Sequence, residues 1–472
     1  MRRAVTAGIG RAGVLAIGIA LAGFVPHKLR ADTLADALVS AYNNSGLLEQ
    51  NRALLRAADE DVAVAVATLR PVISWSASMS RSLSESGTGG LVINRGATNL
   101  FAGLTAELLL YDGGARQLGV QAAKESVLAT RQALISIEQR ILLRAVSAYM
   151  NVILQTENVS LRENNVRVLG EELRAAQDRF EVGEVTRTDV ALAESRLAGA
   201  RSNLAAARGL LVNAQAEYLT AVGRKPGNLA RQPKLPPRAD SIATAQALAV
   251  RNHPDILAAQ RRVAVAELQI QRASKSYGPN VSLRGEFGLT EDIGSSNYNE
   301  NAAVSLNLRQ TIYQGGALAA QVRRAMAARD AERSNLLNVR LDVVQGVNNA
   351  FVRLEVARAS LIATAERVRA AQVAFDGIRE EATLGARTTL DVLAAEQELL
   401  DARTAQISAR SERSIAAYEL LSSQGLLTAE RLGLAVQIYD PTIYYNLAKD
   451  APASYSRQSR DLDRVLKALG KQ

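Results

Sequence analysis

The sequence predicts a mainly α fold with a transmembrane β part, built twice over, and three observations carry that prediction. Two unlike motifs recur at one spacing, long proline-free stretches carry a seven-residue apolar period, and short alternating strands come in pairs. The motif spacing is the most direct of the three. "LLLYDGGARQ" ends an apolar run at Tyr111, Gly113 and Gly114, and "LRQTIYQGGALAA" ends another at Tyr313, Gly315 and Gly316, 202 residues later. "VGEVTRTDVALAESRLAGAR" from Val182 and "LGARTTLDVLAAEQELLDAR" from Leu384 repeat at the same offset, pairing Gly183 with Gly385, Asp189 with Asp391, Glu194 with Glu396 and Arg201 with Arg403. Two motifs held at one offset indicate a tandem duplication of about half the chain.

The N-terminus reads as an address. Arg2, Arg3 and Arg11 precede an apolar core, Ala12 to Val25, and Ala31 offers a small residue before Asp32, so 1–31 is expected to be a signal peptide. Fourteen apolar residues fall short of the roughly 20 that a spanning helix needs, and no later run approaches that length. The formal charge of +9 falls to +4 when the five leader cations are removed, too little and too scattered to suggest nucleic acid. Cysteine is absent, which excludes disulfides, thiolate metal sites and a lipoprotein anchor. His27 lies in the leader, so His253 alone remains for histidine chemistry, and a multi-histidine metal site cannot be built. With no phosphate-cradling glycine loop either, neither an enzyme nor a bound cofactor is expected.

Proline marks the boundaries. None falls in 72–225 or 280–440, while Pro226, Pro233, Pro236 and Pro237 form a linker over 226–238 between repeats at 32–225 and 239–425. In the first repeat, Ile73, Trp75, Ala77 and Met79 alternate with serines, and Leu100 to Leu110 alternate with Thr105 and Glu107. Strands are therefore expected at about 72–83 and 100–111, with a Gly/Ser/Asn loop between them. The second repeat alternates likewise at about 280–290 and 301–313. Each pair is followed by a long helix, 115–182 and 317–384. One seam runs through Ala145, Val152, Val159, Val166, Leu173 and Phe180 and its counterpart through Val347, Leu354, Leu361, Val368, Phe375 and Ala382. Shorter helices are expected at 33–70, broken near Asn44, at 187–222, at 240–276 and at 388–424, while the tail 426–472 lies outside the repeat.

Four strands with an apolar face cannot close in lipid, because open edges leave backbone groups unsatisfied and the smallest closed membrane barrel has eight strands. Strands from several chains must be pooled. A soluble hairpin packed on helices shares the same periodicity, and a periplasmic coiled-coil adaptor without a pore is the alternative function.

The duplicated hairpin with its Tyr-x-Gly-Gly exit, the long helix and the G-x-x-T-x-x-D-V turn resemble the TolC-like outer membrane efflux proteins, over residues 32 to about 425. The resemblance implies a homotrimer in the outer membrane with a long periplasmic portion, a 12-stranded β-barrel and a 12-helix α-barrel. It further implies an exit duct for type I secretion or efflux, joined through an adaptor to an inner-membrane transporter. Tyr111, Gly113, Gly114, Tyr313, Gly315 and Gly316 would then turn strand into helix at the membrane edge. Thr186-x-x-Asp189 and Thr388-x-x-Asp391 have the form of capping boxes, and Gly183 and Gly385 suit left-handed helix ends. The resemblance places these turns at the periplasmic tip, where Gly183, Arg187, Thr188, Asp189, Gly385, Arg387 and Asp391 would gate the pore or dock the adaptor, with Arg187 and Arg387 pairing the aspartates. Some family members carry an aromatic where this chain has Ala382.

Overall fold

A computed structural model of the chain describes residues 32–231, 233–293 and 297–468; the expected signal peptide lies outside them. The first repeat contributes α1 (Leu34–Asn44), α2 (Gly46–Ala67), β1 (Val72–Thr88), β2 (Leu91–Tyr111), α3 (Ala115–Glu181) and α4 (Arg187–Val222). The second contributes α5 (Ile242–Asn252), α6 (Pro254–Lys275), β3 (Asn280–Asp292), β4 (Tyr298–Arg309), α7 (Ala317–Thr383) and α8 (Thr389–Ser423), and the tail adds α9 (Pro441–Ala448) and α10 (Arg457–Ala468). At 1.5 Å per residue, the 67 residues of α3 and of α7 each span about 100 Å.

Breaks in the short helices have local causes. Ser45 ends α1 in extended backbone and caps α2 through a bond from the Leu48 N–H. His253 plays the same part before α6, where Pro254 occupies the first helical position and needs no N–H partner.

The strands form one antiparallel sheet ordered β1-β2-β3-β4. Its register aligns the apolar residues of all four strands on one face: Trp75 faces Leu104, which faces Phe287, and Leu108, Leu283 and Leu306 follow one another across the sheet. That face has no cover among the described residues, and Trp75 is 71% and Leu306 66% exposed. From Leu100 to Leu110 the apolar band runs about 33 Å along β2, and a tilt of roughly 40° gives the ~25 Å height of a lipid-facing band.

Two strand expectations are corrected. The first hairpin is longer than 72–83 and 100–111, because the polar stretch between pairs in register to Thr88 and Leu91 and turns at Gly89 and Gly90, both with positive φ. Polar alternation there looks like loop composition, but backbone pairing asks only for extended residues. The last strand ends at Arg309 and not at 313, because Arg309 pairs with Asn280, the first residue of β3, and nothing remains for Gln310 onward to pair with. Phe101 breaks the polar pattern of the opposite face, since its ring lies across Gly103 and Gly288, where an added Cβ would come within 2.5 and 2.6 Å of it. A bulky ring thus covers two glycines paired in register.

The helices form a curtain rather than a globule. Above the equator the lateral order is α2, α3, α6, α7, and below it α4, α3, α8, α7. The main core lies where α1 meets the middle of α3 and the ends of α4 and α8, around Leu142, Tyr149, Tyr218 and Leu427. α5 makes the corresponding contact with α7 and α8 through Ala245, Ala249, Val347 and Leu354. The interrepeat linker is strapped across this belt. Tyr149 Oη lies 2.9 Å from the carbonyls of both Asp32 and Ala230, which share its single proton, and Tyr418 Oη donates to that of Lys234 at 2.7 Å.

The tail completes the belt. Leu426, Leu427 and Ala429 enter the core, and α9 lies on α2 with Tyr444 Oη donating to Glu60 at 2.7 Å. Arg52 stacks on Tyr42 and Tyr439, and Arg131 on Tyr445, each 5.1 Å from the ring centre. Beneath them Asp59 is fully buried without a hydrogen-bond partner, and that burial pushes its carboxyl up to about 6 against the pull of Arg131.

Candidate functional site

At the end of β2 the chain must turn from strand to helix within three residues. Gly113 and Gly114 adopt φ of +65° and +86°, a region that Cβ-bearing residues avoid, and Gly315 and Gly316 repeat this at +54° and +82°. Gly114 and Gly316 cap α3 and α7 without any side-chain bond of their own. The first turn is laced more tightly than the second. Asp112 accepts from the N–H groups of Gly114 at 3.0 Å and Arg116 at 2.9 Å and from Arg116 Nε at 3.0 Å, while Arg116 also reaches the carbonyls of Thr68 and Leu109. Gln314 and Leu318 occupy the matching places in the second repeat, so that network has no counterpart there. Tyr111, the last residue of β2, is 53% exposed, and Tyr313, beyond the end of β4 at Arg309, is 85% exposed.

At the opposite end the two helix-turn-helix tips share one design. Gly183 and Gly385 sit at φ +82° and +79°, each ending its long helix. Thr186 and Thr388 then cap α4 and α8 with complete capping boxes. Asp189 accepts from Thr186 N at 2.9 Å and Thr186 Oγ1 at 2.7 Å, and Asp391 from Thr388 N at 3.0 Å and Thr388 Oγ1 at 2.8 Å. These bonds to the charged form hold both carboxyls below the usual carboxylate range; for Asp391 the Thr388 backbone N–H is the main cause. Thr188 takes no part in the cap, which belongs to Thr186. The two turns face each other across a cleft of about 670 Å³ lined by Arg179, Thr186 and Asp189 from one and Gly385, Arg387 and Thr388 from the other.

The expected pairing of Arg387 with Asp391 is corrected. Arg387 Nε instead bonds Glu381 at 2.8 Å, because Asp391 is already occupied by the cap and Glu381 lies on the adjacent last turn of α7. Arg187 is exposed, and Ala382, at the position of the aromatic seen elsewhere, is buried against α8 beside Phe375 and Val392. Its counterpart Phe180 is 45% exposed.

Above the tip lies a buried polar contact that the sequence did not single out. Asn165 Nδ2 of α3 donates to Glu396 Oε1 of α8 at 2.8 Å, both residues being less than 9% exposed, and Glu396 Oε2 is buried without a partner. Glu172, also buried, is 3.7 Å from Arg379 of α7. Burial pushes the Glu396 carboxyl up to about 7, with Glu172 adding to the rise and Asn165 and Arg379 opposing it. The signal was legible in principle: Leu393, Glu396 and Leu400 have the 3-4 spacing of a buried helix face, with an acid at its centre.

The chain matches the family described as "Outer membrane efflux protein" over residues 37–224 and 246–426, one segment in each repeat. Among relatives, it is 35% identical to the outer membrane efflux protein BepC of Brucella suis over 93% of this chain and 94% of that one. It is 25% identical to the proteases secretion protein PrtF of Dickeya chrysanthemi, covering 83% and 87% of the two chains. Among solved structures, the Campylobacter jejuni CmeC outer membrane channel superposes with a TM-score of 0.74 over 90% of each chain at 17% identity.

Proposed function

Because the chain belongs to the outer membrane efflux proteins and so to the channels of the outer membrane, we propose that it works as a homotrimeric exit duct of a tripartite efflux or type I secretion system, gated at its periplasmic tip. The observation that carries this reading is the unpartnered sheet. Its outer face is apolar, and both edge strands, β1 and β4, leave their outer backbone groups unpaired among the described residues. Lipid does not tolerate such edges, and three copies joined β4 to β1 close a 12-stranded barrel. The helical curtain is open in the same sense. α7 is an edge helix both above and below the equator, and Val352, Val356 and Val373 on it are 50–65% exposed. α4 and α2 form the other edge, with Val212 and Leu54 exposed. Joining α7 of one copy to α2 and α4 of the next makes a 12-helix tunnel continuous with the barrel.

At the tip, three Asp391 and three Asp189 would ring the entrance, and the paired glycine turns would receive an adaptor hairpin that connects to an inner-membrane transporter. The adaptor alternative, a scaffold without a pore, has no counterpart among these matches. Detergent-extracted protein should sediment as a trimer and form channels in planar bilayers. Bulky residues at Gly385 would strain its left-handed turn by about 1–2 kcal/mol, and they should stop export while trimers still reach the outer membrane. A monomer in the soluble periplasmic fraction would overturn the duct, and normal export by Gly385 variants would overturn the tip's docking role.

A further inference from the structure

The internal repeat sets up a comparison between two helices of the same design in different surroundings. α8 lies between α7 and α3, whereas α4, among the described residues, packs along α3 and meets only α1 and the near edge of α8 besides. On the α3-facing side of α8, Thr389, Leu393, Glu396 and Leu400 are buried, while their counterparts 202 residues earlier, Arg187, Ala191, Glu194 and Ala198, are exposed on α4. Likewise α3 lies between α4 and α8, but below the equator its counterpart α7 packs along α8, with Arg379 reaching across to Glu172 of α3. The uncovered sides of α4 and α7 are thus the two halves of the contact that α8 and α3 make within the chain. They lie at opposite ends of the four-helix curtain, so they can meet only between copies.

We infer that α4 of one protomer packs on α7 of a second copy of this chain in the register of the internal α8–α3 contact, with Glu194 meeting the partner's Arg367. The register follows from one bond. Asn165 donates to Glu396 at 2.8 Å, and the 202-residue offset carries that pair to Arg367 and Glu194. The substituted pair is complementary in charge. Glu194 is exposed and, among the described residues, makes no ion pair within the chain, while Arg367 is held toward the same level of the coil by Glu398, at 2.8 Å. In the cluster that α3, α4 and α8 share, Leu169 and Leu393 lie with Leu197 and Ala200; 202 residues away they become Ala371, which is buried against α8, and Ala191, which is exposed. Apolar contact is therefore smaller between copies, and the arginine, shared by Glu398 and the partner's Glu194, sets the register there.

This inference rests on the trimeric reading and is tested so that the two can fail separately. Because the chain has no cysteine, a Glu194→Cys/Arg367→Cys double variant in the assembled protein can be treated with a short bismaleimide, beside an Asn165→Cys/Glu396→Cys control and each single variant. The expected result is a ladder of covalent dimer and trimer for the 194/367 pair, at least tenfold above either single variant, and only intrachain product for 165/396. Charge reversal provides the second readout: Glu194→Arg and Arg367→Glu should each lower the detergent-resistant trimer, and the double reversal should restore it. If the parent is a trimer and the control pair links while 194/367 does not exceed the single variants, the register is wrong and the trimer stands. If the parent forms no trimer, both readings are overturned.

Discussion

Glu396→Gln isolates a buried carboxyl whose pKa is raised where the two repeats meet above the tip. Facing it are Asn165 and Glu172 from α3 and Arg379 from α7. Its carboxyl, normally near 4.5, is pushed up to about 7 by burial, so the packed form holds a proton that the separated helices release. The resulting stabilisation is fully present below pH 4.5 and is lost as pH rises through about 7. At about 1.4 kcal/mol per pKa unit the full effect is roughly 3 kcal/mol per protomer, of which about 2 kcal/mol falls between pH 5.5 and 8. That is ~30-fold in the local opening equilibrium. Hydrogen exchange of α3 peptides spanning 165–176 and α8 peptides spanning 392–400, corrected for intrinsic rates, should therefore show stronger protection at pH 5.5 than at pH 8. Gln keeps an oxygen for Asn165 and carries no charge, so the variant should lose this dependence and be the better protected at pH 8. Protection that is flat with pH in the parent chain, or equally sloped in the variant, would refute the reasoning.

Three further outcomes are expected. Leu306 and Asn307 are neighbours on opposite faces of β4, opposite Leu283 and Ser282; Arg at Leu306 should cost about 2–4 kcal/mol near the bilayer midplane and abolish assembled protein on gels, whereas Arg at Asn307 should leave it. Asp391→Asn should keep the cap, since an amide oxygen can still accept from Thr388, and yet lower the cation preference of single channels by removing like charges from the entrance. In the parent chain the Thr388 bonds keep that charge in place until pH falls below 3.8, so selectivity should persist to that limit and fade beneath it. Tyr149→Phe should cost about 1–3 kcal/mol by removing the hydroxyl that the Ala230 carbonyl accepts from, while the Asp32 carbonyl keeps the Ala230 N–H at 3.0 Å, and limited proteolysis should then nick the linker at 226–238 faster than in the parent.

What the sequence determined by itself is whatever repeats along one chain. The 202-residue offset, the seven-residue seams, the proline-free spans and the alternation of Trp75, Leu104, Phe287 and Leu306 with polar residues are local periodicities. Local periodicity dictates which face of an element is apolar and how long the element runs. The same holds for the tip caps, where Gly183 and Gly385 and the Thr-x-x-Asp boxes act within a few residues of themselves. The strand ends were not legible in this way, because pairing with a neighbour, and not composition, carries β1 to Thr88 and stops β4 at Arg309. Arg387 shows the same dependence: the family resemblance implied a pair with Asp391, but the cap holds the acid and Arg387 bonds Glu381 at 2.8 Å. Glu194 and Glu396 are one residue in the repeated motif, and only the tertiary structure separates them, by laying α3 over the second and leaving the first open. Packing is a property of neighbours brought together from 231 residues apart, and a period read along the chain contains no record of which neighbour arrives.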